Sequence, residues 1–77
     1  MSVLQKGDEG SEVKVLQSEL SSVGCACTVD GIFGAATEQA VKNFQRAFAL
    51  ADDGIVGQGT RAALKKALAD AKTNANS

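Results

Sequence analysis

Residues 30–37 read Asp-Gly-Ile-Phe-Gly-Ala-Ala-Thr, and residues 53–60 read Asp-Gly-Ile-Val-Gly-Gln-Gly-Thr, 23 positions later. Asp, Gly, Ile, Gly and Thr match in register, and Phe33 pairs with Val56. The correspondence continues as Ala40 with Ala63, Val41 with Leu64 and Lys42 with Lys65. A period of this length is typical of repeat architectures, yet two copies are fewer than a solenoid needs. The repeat is therefore read as one loop-to-helix unit used twice in a compact domain. In each copy Asp-Gly forms a tight turn: glycine supplies backbone freedom and the Asp side chain accepts hydrogen bonds from nearby amides. Gly31 and Gly54 are expected at positive φ or in crowded backbone. The Ile and the following Phe or Val are expected to face a core. Either Thr37 and Thr60 cap the helices that follow, or Gly34 and Gly57 do, with the threonines inside the first turn.

Hydrophobic periodicity predicts three helices and essentially no sheet. The first runs from about Ser11 to Val23, with Val13, Leu16, Leu20 and Val23 on one face, Ser11 as cap and Gly24 as stop. The second runs from about Ala35 to Ala49, burying Ala40, Val41, Phe44 and Phe48. The third runs from about Gln58 to Ala71, burying Ala63, Leu64, Ala67 and Leu68. Cys25–Val29 should be extended, and Val3-Leu4 could tuck against the bundle. The expectation is an all-α, compact three-helix bundle: one domain over residues 1–71 and a frayed tail over residues 72–77, which has no apolar anchor.

At 77 residues the chain has room for one domain with a modest core. Eight basic and nine acidic residues nearly cancel, and the small cluster Arg61, Lys65, Lys66 shares its helix with Asp70, which argues against a nucleic-acid partner. No apolar run is long enough to cross a bilayer, so no membrane role is expected. Residues 1–6 lack the charged head and long apolar stretch of a signal peptide, which leaves the export route open. There is no His, and the two thiols, Cys25 and Cys27, are too few for a closed zinc site. A disulfide between residues two apart would be strained. Both are read as small, partly buried thiols, and no metal or cofactor is expected.

The full set of motifs resembles the peptidoglycan-binding-domain-like family. The resemblance is carried by Gly7, Gly10 and Val13; by Leu16-Gln17; by Val29-Asp30-Gly31-Ile32-Phe33-Gly34 with Thr37; by Ala40-Val41 and Phe44-Gln45; and by Asp53-Gly54-Ile55-Val56-Gly57 with Thr60 and Ala63-Leu64. It covers roughly residues 4–68. A single Asp-Gly turn is a weak signal, whereas two in register behind the glycine and Leu-Gln motifs are a specific one. The chain has Ala35 and Gln58 where the family often has Pro, Arg61 where it often has Trp, and Cys25-Ala26-Cys27-Thr28 where it is often rich in Tyr and Pro. The resemblance implies a three-helix fold that binds peptidoglycan, by its glycan strand or stem peptide. It implies a targeting role for an associated cell-wall hydrolase or particle, at the cell wall or in the periplasm.

No catalytic constellation accompanies it. Without His there is no Ser-His-Asp or Cys-His pair. Asp30, Asp52 and Asp53 could supply a carboxylate pair, but all lie in the turn motif, where Asp has a structural task. Binding without catalysis is therefore expected. There is no Trp or Tyr to stack on a sugar, and the three Phe fit the core stripes. Recognition is expected from turn and first-helical-turn backbone amides, which suit carboxylates and acetamido oxygens. The candidate ligand-binding residues are Asp30, Gly31, Gly34, Thr37, Gln45, Asp53, Gly54, Gly57, Thr60 and Arg61. The rival reading is a protein–protein adaptor, or a structural module of a phage or contractile-injection particle.

Overall fold

The computed structural model describes residues 3–75. Among these residues three α-helices follow one another: α1 (Ser11–Ser22), α2 (Ala35–Ala47) and α3 (Gln58–Ala75). Helix α1 packs against both others. Among the described residues there is no strand, only two isolated antiparallel bridges, Leu4 with Val56 and Glu9 with Ile32.

The core follows the helical stripes. Val13, Leu16 and Leu20 from α1, Ala40, Val41 and Phe44 from α2, and Leu64 and Ala67 from α3 are buried together with Phe33, Val56 and Leu4. Val23, Ala63 and Leu68 are only partly buried against this cluster. Phe48 departs from its expected place. It falls just past α2, 43% exposed, and stacks on Phe44 with ring centroids 4.5 Å apart. The helix ends at Ala47, so Phe48 no longer follows the helical stripe into the core.

The helix ends explain two further departures. Gly10, at φ 129°, caps α1, so Ser11 is the first helical residue rather than the cap. At the other end Gly24 adopts φ 89°; its N–H reaches the Ser21 carbonyl at 3.3 Å and the Cys25 N–H reaches the Leu20 carbonyl at 2.8 Å. This is a Schellman close, with glycine as the stop. Helix α2 closes the same way, with the Ala49 N–H to Arg46 and the Leu50 N–H to Gln45, but here the left-handed position is held by Ala49 at φ 58°. Helix α3 continues to Ala75, past the expected end at Ala71; no Gly or Pro interrupts 72–75. The last two residues of the expected tail, Asn76 and Ser77, lie outside the described residues.

The leader is a tie rather than a loose end. Leu4 is buried and exchanges both backbone hydrogen bonds with Val56, at 3.2 and 2.8 Å, while Val3 stays exposed. Three residues on, the Gly7 N–H donates to the Phe33 carbonyl and the Phe33 N–H to the Asp8 carbonyl, each at 2.9 Å, and the Gly10 N–H donates to the Gly31 carbonyl at 2.9 Å. One short segment thus holds both repeated turns.

Candidate functional site

In the first unit the turn closes over a buried glutamine from α1. Gln17 Oε1 accepts the N–H groups of Asp30 and Gly31 at 3.0 and 2.8 Å. Gln17 Nε2 faces three oxygens: Asp30 Oδ1 at 2.9 Å, the Ile32 carbonyl at 3.0 Å and Thr37 Oγ1 at 2.9 Å. Donors on one side and acceptors on the other fix which way the amide points. Asp30 Oδ1 also accepts the Ile32 N–H at 3.0 Å, the Asp turn expected from the sequence.

The second unit repeats this arrangement from α2. Gln45 Oε1 accepts the Gly54 N–H at 3.0 Å. Gln45 Nε2 faces Asp53 Oδ1 at 3.0 Å, the Ile55 carbonyl at 3.0 Å and Thr60 Oγ1 at 3.1 Å. Asp53 Oδ1 accepts the Ile55 N–H at 2.9 Å. Both carboxyls are held below the usual aspartate range, first by the backbone N–H of the following Ile and then by the glutamine amide. Gly31 and Gly54 sit at φ 79° and 75°. Gly34 caps α2, and Gly57 holds the same place before α3, its carbonyl accepting the Arg61 N–H at 3.0 Å. The second capping alternative therefore holds: Thr37 and Thr60 lie inside the first turn, with hydroxyls committed to the glutamines. The Ile residues do not face the core. Ile32 and Ile55 are 57% and 38% exposed, because side chains alternate along an extended segment and Phe33 and Val56 take the inward places.

These contacts show where the ten candidate residues sit. Thr37, Gln45 and Thr60 are buried and hydrogen-bonded inside their units, as are the amides of Gly31 and Gly54. Among the described residues no buried side-chain polar atom lacks a partner. The two turns border different depressions. Asp30 and Gly31 border a shallow depression of about 340 Å³ with Lys14 and Gly10. Asp53, Gly57 and Thr60 border another of about 260 Å³ with Leu50 and Ile55. Arg61 belongs to neither. It lines a groove of about 200 Å³ between α1 and α3, whose floor is Val15, Leu16, Val56 and Leu64. Glu12 and Glu19 stand on the α1 wall, and Lys65 stands beside Arg61 on the α3 wall.

In the sequence Gln17 stands out only as half of a Leu-Gln pair, and nothing there marks Glu12, Val15, Glu19 or Lys65 as a group. A second alignment does find Gln17: Val13-Lys14-Val15-Leu16-Gln17 matches Val41-Lys42-Asn43-Phe44-Gln45, 28 positions on. The catalytic alternative gains nothing. Asp30 and Asp53 each hold a turn, and Asp52 is paired with Arg46 at 2.9 Å on the surface. Cys25 and Cys27 are free, partly buried thiols packed against the core, and burial raises both pKa values, so neither is an activated nucleophile.

The chain matches the family of peptidoglycan binding domains over residues 9–64. It is 43% identical over 75 residues to a spore cortex-lytic enzyme of Bacillus cereus, covering 96% of this chain and 29% of that enzyme. It is 36% identical over 83 residues to the type VI secretion system spike protein VgrG3 of Vibrio cholerae, covering 90% of this chain and 8% of the spike protein. It thus spans under a third of the length of these relatives. Among solved structures, the SleB N-terminal domain superposes with a TM-score of 0.83 at 43% identity, over 87% of this chain and 93% of that one. With both glutamine-locked turns and most of the three-helix core inside the matched region, this chain belongs to the peptidoglycan-binding domain family.

Proposed function

We propose that this domain binds bacterial cell-wall peptidoglycan without cleaving it, and so holds whatever it is attached to at the wall or cortex. The observation that carries this reading is the family match across residues 9–64, which takes in both turn units and most of the core. The relative named a cortex-lytic enzyme, 29% of which is matched, supports attachment to a hydrolase. The commitments of the three turn aspartates agree: each is bound in turn hydrogen bonds or to Arg46. A module this small, with few polar anchors, should bind in the micromolar to millimolar range, about 4–8 kcal/mol. Attachment to a larger body or a repeated lattice would then supply avidity.

Co-sedimentation with purified sacculi tests the proposal. The domain should pellet with sacculi in a salt-tolerant way and release no soluble muropeptides. A domain that stays in the supernatant with sacculi of several wall chemotypes would refute wall binding. A second reading, a module of a contractile-injection particle, is favoured by the likeness to the VgrG3 spike protein. It predicts retention on the particle's own proteins rather than on sacculi.

A further inference from the structure

We propose that the groove between α1 and α3, rather than the repeated turns, receives the ligand, and that it takes a short peptide ending in a diamino acid. This rests on the wall-binding reading and names the part of the wall polymer that is held. The turns are poorly suited to the task. Their buried polar side chains are satisfied internally, and the amides of Gly31 and Gly54 point inward to Gln17 and Gln45. The groove offers what they lack. Val15, 57% exposed, lies with Leu64 and Val56 along an apolar floor. Glu19 rises from the α1 wall and Lys65 from the α3 wall, and neither forms an ion pair among the described residues.

The occupant follows from size and charge. At about 200 Å³ the groove is smaller than the ~300–1,000 Å³ of ordinary small-molecule sites, so it seats one short end of a larger ligand. No aromatic side chain lines it, so it lacks a platform for a sugar ring. Its α1 wall runs from Glu12 to Glu19, a rise of roughly 10 Å at 1.5 Å per residue. An extended peptide covers that length in about three residues. Acid on one wall and base on the other call for a ligand with an ammonium and a carboxylate separated by an aliphatic stem. A diamino acid at the end of a peptide has that form: its stem lies over Val15 and Leu64, its ammonium reaches Glu19 and its carboxylate reaches Lys65.

The test is a titration of isotopically labelled protein with a synthetic tripeptide, Ala-γ-Glu-Lys, and with the same peptide acetylated at Nζ. Amide shifts are expected at Val15, Glu19, Leu64 and Lys65, with the acetylated peptide about two- to fivefold weaker, as befits one exposed charge contact. Glu19→Gln should weaken the free peptide to the level of the acetylated one and abolish the discrimination between them. Lys65→Met should weaken both peptides equally. Lys65 is exposed and Glu19 half-buried, and an unchanged melting midpoint confirms the fold of each variant. Shifts confined to residues 30–37 and 53–60, or no discrimination between the peptides, overturn the groove assignment. If the domain still pellets with sacculi in that case, wall binding stands and only the site is wrong. If it does not pellet, the wall-binding reading falls with it.

Discussion

Gln17 and Gln45 are the same residue of two copies of one unit: each is buried in a helix, and each amide bonds an Asp carboxylate, an Ile carbonyl and a Thr hydroxyl of the turn that follows. The copies differ in the length of chain between glutamine and aspartate, 13 residues in the first and 8 in the second. The longer connection contains the extended Cys25–Val29 segment. The repeated turn is therefore only half of a unit whose other half is a helix face.

If the glutamines hold the turns, removing one should be costly. Gln17→Leu leaves the buried Gly31 N–H and the part-buried Asp30 N–H without their acceptor, at ~1–3 kcal/mol for each unsatisfied group. The expected loss is roughly 2–5 kcal/mol, a large share of the ~4–11 kcal/mol available to a domain of this length. Thr37→Val alone should cost less, and the pair should couple by about 0.5–3 kcal/mol in a double-mutant cycle followed by urea unfolding. Additive effects would mean that the Gln17–Thr37 contact is incidental.

The two turn glycines should differ in sensitivity. A Cβ on Gly54 would lie 2.9 Å from Glu38 Cγ and 3.2 Å from Lys42 Cε, whereas one on Gly31 would meet the Gly10 carbonyl oxygen at 3.4 Å. Both sit at positive φ, which costs a non-glycine residue ~1–2 kcal/mol. Gly31→Ala should lose about that much and Gly54→Ala more, since α2 side chains must also shift. Thermal melts of the two variants check the order; a larger loss at Gly31 would contradict it.

Ala49 presents the converse case. It closes α2 at φ 58°, in the place that Gly24 fills at the end of α1. Glycine would remove ~1–2 kcal/mol of left-handed strain, offset by the extra entropy of an unfolded glycine, ~0.5–1 kcal/mol. Ala49→Gly should raise stability by about 0.5–1 kcal/mol. For a domain of this size that is a rise of ~2–8 °C in melting midpoint. A lowered midpoint would show that the Ala49 methyl contributes contacts worth more than the strain.

Much of this fold is legible in the sequence because helices write their buried faces at fixed spacing. Spacing alone places Val13, Leu16 and Leu20, and likewise Ala40, Val41 and Phe44, in the core that they occupy. Features set by backbone geometry at the joints are harder to read. Ser11 has the chemistry of a cap, but the left-handed Gly10 takes that place, and Ile32 is as apolar as Phe33 yet alternation turns it outward. The turn residues are legible as a group, but not their task. One offset, 23, aligns the turns and another, 28, aligns the helices; the glutamines pair only in the second, which puts the turns out of register. The α1–α3 groove is not legible at all, since its walls belong to helices that are not consecutive and its charges look like ordinary solvent-facing positions.

The last prediction concerns acid. Asp30 and Asp53 are held below the usual carboxylate range by the Ile32 and Ile55 N–H groups first and the glutamine amides second, and Asp52 is lowered by Arg46. A group with a depressed folded-state pKa contributes stability that is fully present above its unfolded pKa, about 3.9 for Asp. Below that value the unfolded chain binds more protons than the folded one, so stability falls with pH until the folded-state pKa is passed. Urea midpoints should therefore be flat from neutral pH to about pH 5 and then decline, steeply below about pH 4. In Asp30→Asn with Asp53→Asn, the amide oxygens can still accept the same N–H groups but do not titrate in this window. That double variant should fold at neutral pH and show a shallower acid decline, the remainder coming from groups such as Asp52. An acid slope as steep as that of the native protein would show that the turn carboxylates carry no share of its pH dependence.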